Sequence, residues 1–311
     1  MYKFLFEKML NRRILRIKAF KAIYSYAENP SMSVRDVEAQ LERSCESTRD
    51  LYLFLLSIIN PLTAEAKARI EAARAKFNPT EEEKNPNLKF VRNAVAPVFA
   101  EDPDFCKLVS KKKLSWDQYD VLLRCLYDSV RTKDYYLEYM SKPESGLKDD
   151  AELWAKIFEN EFEDNEELEA ILEDMSIWWN DDLAYALNWC CRTMDSIGKG
   201  IRWDLIPLYL SDIQKSAEDD HAFVVGIVRK AVSNFDRYYD SIASLTPKWD
   251  RNRICYTDLA LIVAGLAENE AFSNIPAKVT INEYVEISKF YSTPESRGFV
   301  NGLLDKLINK R

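Results

Sequence analysis

Chemistry needs reactive side chains at workable spacing, and this chain offers few. His221 is its only histidine, so any Ser–His or Cys–His arrangement must use it. Glu218 and His221 have the Glu-x-x-His spacing of half a di-iron carboxylate site. The other half needs a second histidine, and a histidine at a helix start is the better reading. The cysteines are Cys45, Cys106, Cys125, Cys190, Cys191 and Cys255; no two form a C-x-x-C pair. Most stand among apolar residues and read as reduced, buried thiols of a cytoplasmic protein, not as zinc ligands or disulfides. No Walker loop or G-x-G-x-x-G is present to cradle phosphates. The acids of residues 159–174 could supply a catalytic carboxylate pair, yet they fall on many sides of any helix and read as a solvated surface. The sequence therefore predicts no catalytic residue, no metal and no cofactor.

Charge placement is more informative. The formal net charge of −8 argues against a generic nucleic-acid binder, but the charge is polarised along the chain. Residues 1–21 carry Lys3, Lys8, Arg12, Arg13, Arg16, Lys18 and Lys21 against Glu7 alone. Residues 144–182 carry 15 acids against Lys148 and Lys156. Arg12, Arg13 and Arg16 in the first turns of a helix starting near Asn11 would oppose its dipole, which favours a role outside local stability. If the helix starts near Tyr2 instead, they serve only solubility. Pattern alone leaves both readings open.

The elements that must position these residues are helical. Leu, Ala, Glu, Lys and Arg dominate long stretches, β-branched alternation is absent, and the chain holds only 7 glycines; an all-α protein follows. Over residues 12–27, Leu15, Ala19, Ala22 and Tyr26 form one apolar stripe, with Ile17, Phe20 and Tyr24 beside it, so this helix packs on more than one neighbour. Helices are expected at about 34–59, 61–77, 88–100, 116–140, 150–173, 179–196, 203–216, 219–244, 250–270, 279–291 and 294–309, with a loop at 78–87. "DDAELWAKIF" and "DDHAFVVGIV" echo each other, but two copies are too few to define a repeat. "LYLFLLSIINPLTA" is too short to span a membrane, and the first residues lack the features of a signal peptide.

The last segment carries two dense motifs. Val279–Lys289 reads V-T-I-N-E-Y-V-E-I-S-K, and Glu295–Lys306 reads E-S-R-G-F-V-N-G-L-L-D-K. Pro276 precedes the first, and Thr293-Pro294 makes a strong helix start before the second. Asn282, Asn301 and Gly302 are expected to hold the fold, the amides by satisfying backbone groups and the glycine by letting two helices approach. These motifs resemble the NusB family. So do "RRILRIKAFKAIYSY" near the start, "FVVGIVRKAV" from Phe223, and "WDRNRICYTDLALIVAGLAE".

The resemblance covers about residues 11–29 and 219–308 and implies a NusB-like helical bundle. Residues 1–29 would form its basic first helix, 217–311 its C-terminal subdomain, and 30–216 a large helical insertion, acidic in 144–182. It implies a non-enzymatic transcription antitermination factor. Such a factor binds boxA-type single-stranded RNA with the ribosomal protein NusE, in the RNA polymerase antitermination complex of ribosomal RNA operons. Carried over by motif, Arg12, Arg13 and Arg16 would hold phosphates, although Ile14 replaces one arginine of the usual run. Phe299 would stand near RNA, with Glu295 and Arg297 on the adjacent turn. Tyr24 and Asp258 would face NusE. Each has a plainer alternative: Phe299 in the core, Tyr24 packed internally, Asp258 a helix-start charge. Two other functions stay open: an interaction scaffold with weak RNA binding, and an RNA module serving a methyltransferase on a separate polypeptide.

Overall fold

The computed structural model describes residues 2–206, 219–246 and 254–309, with side chains from residue 12 onward. Every regular element among them is helical, so the protein is all-α. In chain order, α1 is Tyr2–Glu28 and α2 is Val34–Ser57. Next come α3 (Ile59–Arg74), α4 (Glu81–Lys84), a 3₁₀ turn at Phe90–Arg92, α5 (Val95–Ala100), α6 (Pro103–Lys111), α7 (Asp120–Val130) and α8 (Asp134–Ser141). Then follow α9 (Leu147–Glu161), α10 (Glu166–Met175) and α11 (Leu183–Gly198). The last five are α12 (Asp220–Ser233), α13 (Phe235–Leu245), α14 (Tyr256–Ala271), α15 (Ala277–Tyr291) and α16 (Pro294–Ile308). Among the described residues, no helix is long and apolar enough to cross a membrane.

Contacts divide the chain into two units, a terminal one of residues 1–46 with 207–311 and an inserted one of residues 47–206. The sequence expectation put the insertion at 30–216. The first half of α2 instead packs with the terminal unit: Val37, Leu41 and Cys45, spaced four apart on one face, are buried among the residues that bury Leu15, Ala19 and Ile23.

Several expected helices are shorter than their apolar pattern suggests. The span 150–173 breaks after Glu161, where Asp164 takes a left-handed φ of 61° and Asn165 caps α10 by accepting from the Leu168 N–H at 3.0 Å. The span 219–244 breaks at Asn234, whose side-chain amide donates to the Lys230 carbonyl at 3.0 Å and so competes with the helix ladder. A helix not foreseen, α6, starts on the Asp102 cap with Pro103 at its first position. Most of the expected helix 203–216 lies outside the described residues.

In the terminal unit α14 is the hub. Its residues from Asp258 to Glu268 are all buried, the pattern of a helix surrounded by others. Gly265 makes this possible: a Cβ there would stand 2.8 Å from Leu304 Cδ2 and 3.3 Å from Tyr284 Cδ2. The close approach expected at Gly302 is absent, since nothing lies within 4 Å of a Cβ at that position. Asn282 and Asn301 are both exposed, because they fall on the outer sides of α15 and α16, where their amides have no backbone to satisfy. The capping expected of Thr293 is present, its hydroxyl accepting from the Ser296 N–H at 3.4 Å.

The inserted unit has an aromatic core. Phe54 stacks on Trp116 with centroids 4.0 Å apart, and Trp154 is fully buried against Phe90 and Phe158. Its acidic stretch is solvated at Glu163, Glu166, Glu167 and Glu169. Three other acids of the stretch face inward. Asp150 accepts from Tyr139 at 2.7 Å, Glu161 from Tyr135 at 2.8 Å, and Asp182 from Thr48 at 2.6 Å.

Candidate functional site

Because α1 starts at Tyr2, Arg12, Arg13 and Arg16 sit mid-helix, and the dipole no longer bears on them. Each meets a carboxylate. Arg16 is 4% exposed; its Nε and Nη2 donate to Glu268 Oε2 and Oε1, both at 2.8 Å. Glu268, itself 0% exposed, also accepts from Thr280 Oγ1 at 2.9 Å and the Tyr284 hydroxyl at 3.1 Å. Burial opposes the charge on Arg16, but the Glu268 carboxylate outweighs it and raises the guanidinium pKa. This two-pronged pair clamps α1 onto α14. Arg12 Nε donates to Asp220 Oδ1 at 3.1 Å, and its guanidinium lies 4.4 Å from the centroid of the Phe223 ring. Arg13 donates to Glu283 at 2.8 and 3.0 Å while its side chain keeps 36% of its exposure.

Of the three arginines, Arg13 is the one that reaches the surface. Its pairing with Glu283, and the contact of Phe20 with Tyr291 at 5.2 Å, run α1 alongside α15 in the same direction. One turn beyond Glu283 stands Glu286, whose pKa is depressed first by hydrogen bonds from Lys289 and also by the charges of Arg13 and Arg297. Glu286 is thus the point where α1, α15 and α16 bring cations together. Glu295 and Arg297 are exposed; Phe299 is half-buried and packs against the core. At 3.6 residues per turn Phe299 lies roughly 160° around α16 from Arg297. Arg13 and Arg297 thus both lie within electrostatic range of Glu286, and Phe299 sits on the other flank of α16.

The expected partner residues lie near the start of α14. Tyr24 is partly exposed, and its hydroxyl donates to Glu28 Oε1 at 2.7 Å. That bond is the main cause of its raised pKa, to which the neighbouring Cys255 adds. Asp258 is 6% exposed and turns inward, accepting from Ser292 at 2.6 Å and Ser296 at 2.8 Å. It fastens α14 to the junction of α15 and α16. Nearby, a cleft of about 900 Å³ is lined by Ala27, Pro30, Phe235, Tyr239, Ile254 and Tyr256, with Asp236 and Asp240 at its wall. Among the described residues, no group of three or more His, Cys, Asp or Glu is arranged to hold a metal.

Residues 202–309 match the NusB family model. The chain is 31% identical over 112 residues to the transcription antitermination protein NusB of Methylacidiphilum infernorum, covering 36% of this chain and 78% of that protein. The chain belongs to the NusB family. It is 29% identical over 92 residues to the NusB of Natranaerobius thermophilus, covering 30% of this chain and 66% of that protein. With the NusB of Chloroherpeton thalassium it is 34% identical over 117 residues, covering 38% of this chain and 52% of that protein. No solved structure gives a significant match.

Within the NusB motifs the letters divide between structural and solvent-facing roles: Glu283 of V-T-I-N-E is buried and pairs with Arg13, while Asn282 and Asn301 are exposed. The carboxylates Glu268, Glu283 and Asp258 hold the terminal unit together, while the amides that mark the motif face solvent. Motif reading passed over Glu286, Lys289 and Phe290. The one signal for Glu286 and Phe290 was their i+3 and i+7 spacing from Glu283, which puts the three on a single face of α15.

Proposed function

We propose that this protein is a cytoplasmic, non-enzymatic antitermination factor of the NusB type. In this reading it binds boxA-like single-stranded RNA with the ribosomal protein NusE, and promotes read-through in ribosomal RNA operons as part of the RNA polymerase antitermination complex. Family membership supports the class of function. The observation that carries the RNA site is geometric: Arg13 of α1 forks onto Glu283, Lys289 holds Glu286 on the next turn of α15, and Arg297 is exposed on α16 within electrostatic range of Glu286. Cations on phosphates and rings on bases are the usual means of holding single strands. Arg13 and Arg297 would contact phosphates, Phe299 would stack on a base from the other flank of α16, and Glu295 would border it. Arg12 and Arg16 would act by fixing α1 in place. Tyr24 would contact NusE, with Asp258 shaping that surface from within.

A scaffold with weak RNA binding is favoured by one observation: Arg12, Arg13 and Arg16 all spend charge on Asp220, Glu283 and Glu268. Titration of boxA-like and scrambled RNA, with and without purified NusE, separates the two. Under the RNA reading, Arg297→Ala weakens binding and lowers the log–log salt slope by about 0.7 if one phosphate contact is lost. Parental affinity and slope in that variant, at low and moderate salt alike, would leave the scaffold as the better reading.

A further inference from the structure

We propose that Phe290 is a base-stacking residue for single-stranded RNA, on the α15 face that carries Glu283 and Glu286. The inference rests on the RNA-binding reading above and adds to it a contact that neither the motifs nor the family comparison supplies.

Phe290 is 82% exposed, more than the other large apolar residues offered to solvent among the described residues of the terminal unit, Val279 at 44% and Tyr256 at 51%. A single exposed apolar side chain needs no explanation in general. This one has a specific setting. Val279, Glu283, Glu286 and Phe290 recur at helical spacing and form one stripe along α15. The carboxylates in the middle of that stripe are where cations converge. Arg13 forks onto Glu283 at 2.8 and 3.0 Å, Lys289 holds Glu286 at 2.5 and 2.6 Å, and Arg297 lies within electrostatic range of Glu286. Phe290 follows Glu286 by one helical turn, about 6 Å along the axis.

The next residue shows that this exposure is local. Tyr291 turns inward, with Phe20 at 5.2 Å and the Lys21 ammonium 5.8 Å from its ring centroid. The helix thus packs one aromatic ring, half-buried, against α1 and presents its neighbour to solvent. An exposed ring one turn from cations, here Arg13 and Lys289 already paired with carboxylates and Arg297 exposed on α16, is the pairing that single-strand binders use, the cations tracking phosphates and the ring taking a base. Stacking tolerates any base, so Phe290 would strengthen binding without choosing sequence.

The experiment titrates full-length parent, Phe290→Ala, Phe290→Leu and Phe290→Trp with a boxA-like RNA oligonucleotide and a scrambled one of equal length. At its exposure Phe290 can be replaced without loss of fold, and unchanged melting temperatures check this. Phe290→Ala and Phe290→Leu should both lose affinity for both strands by roughly 5- to 150-fold, equivalent to about 1–3 kcal/mol. Phe290→Trp should bind as well as the parent or better, and the salt slope should not move in any variant. Parental affinity in Phe290→Ala, or full retention in Phe290→Leu, overturns the stacking role. If Arg297→Ala still weakens RNA binding in that case, the RNA reading stands and only Phe290 is excluded. If the parent binds no RNA even with NusE present, both fail. Loss of NusE binding alone in Phe290→Ala would make the ring a protein contact and also overturn the proposal.

Discussion

Two buried carboxylates, one in each unit, are held by different means. In the terminal unit Glu268 faces the guanidinium of Arg16, with Thr280 and Tyr284 adding hydroxyls. In the inserted unit Glu161, 6% exposed, is held chiefly by neutral donors, Ser129 at 2.5 Å and Tyr135 at 2.8 Å, with Lys133 further out at 3.6 Å. Asp150 follows the same pattern, accepting from the Tyr139 hydroxyl at 2.7 Å and the Ala94 N–H at 2.7 Å. A paired charge binds two helices strongly but leaves a costly orphan if one partner goes, whereas a carboxylate among hydroxyls depends less on any single group. The cations that the sequence offers to RNA are therefore partly committed to holding α1 in place, while Glu161 and Asp150 of the acidic segment are held chiefly by neutral donors.

The largest test of that contrast is Arg16→Ala. It strands a fully buried Glu268 and should cost about 3–5 kcal/mol in the transition of the terminal unit, read by denaturant unfolding. Replacing both partners, as Arg16→Met with Glu268→Met, should recover most of the loss, because two apolar groups of similar volume leave no orphan charge. A double variant no more stable than the single one would mean that Thr280 and Tyr284 carry more of the clamp than the arginine. For this reason the basic helix cannot be tested by stripping all three arginines together: the fold and the RNA contact would be lost at once.

Glu161→Gln gives the matching measurement in the inserted unit. It should cost only about 1–2 kcal/mol, since the amide oxygen still accepts one hydroxyl. A loss as large as that of Arg16→Ala would erase the distinction and promote Lys133 to a principal partner. Comparable in size is Gly265→Ala, whose methyl meets Leu304 and Tyr284. Overpacking of this kind should destabilise the terminal unit by about 1–3 kcal/mol, while Gly302→Ala, in open space, should not destabilise it.

The smallest expected effect is on binding. Glu286→Gln removes a negative charge beside Arg13 and Arg297 and should raise RNA affinity roughly two- to five-fold, from about 0.5–1 kcal/mol for charges a few ångströms apart near water. The folded pKa of Glu286 is depressed. Any stability from its pairing is therefore present above the unfolded carboxylate pKa and is lost as pH falls through the folded value. Acidification through that range should leave the parent losing stability that the Glu286→Gln variant does not have to lose. Affinity unchanged in Glu286→Gln would place the RNA away from this face.

The sequence by itself determined the helical class, the apolar stripes of α1, the cap at Thr293 and, through two dense motifs, the family. These are local properties, set by residue spacing and by which side chains can satisfy a helix end. Spacing along one helix could not say which neighbour each charged residue would meet. Arg13 and Glu283 are 270 residues apart and Arg16 and Glu268 are 252 apart. Only the packing of α1 against α14 and α15 decided that Arg16 is a buried clamp and that Arg13 stays at the surface, and only the packing of α14 on the α15–α16 junction turned Asp258 inward to Ser292 and Ser296. The same packing left Phe290 outside beside the cations and drew Tyr291 in, because one step along a helix turns a side chain by about 100° and so separates core from solvent.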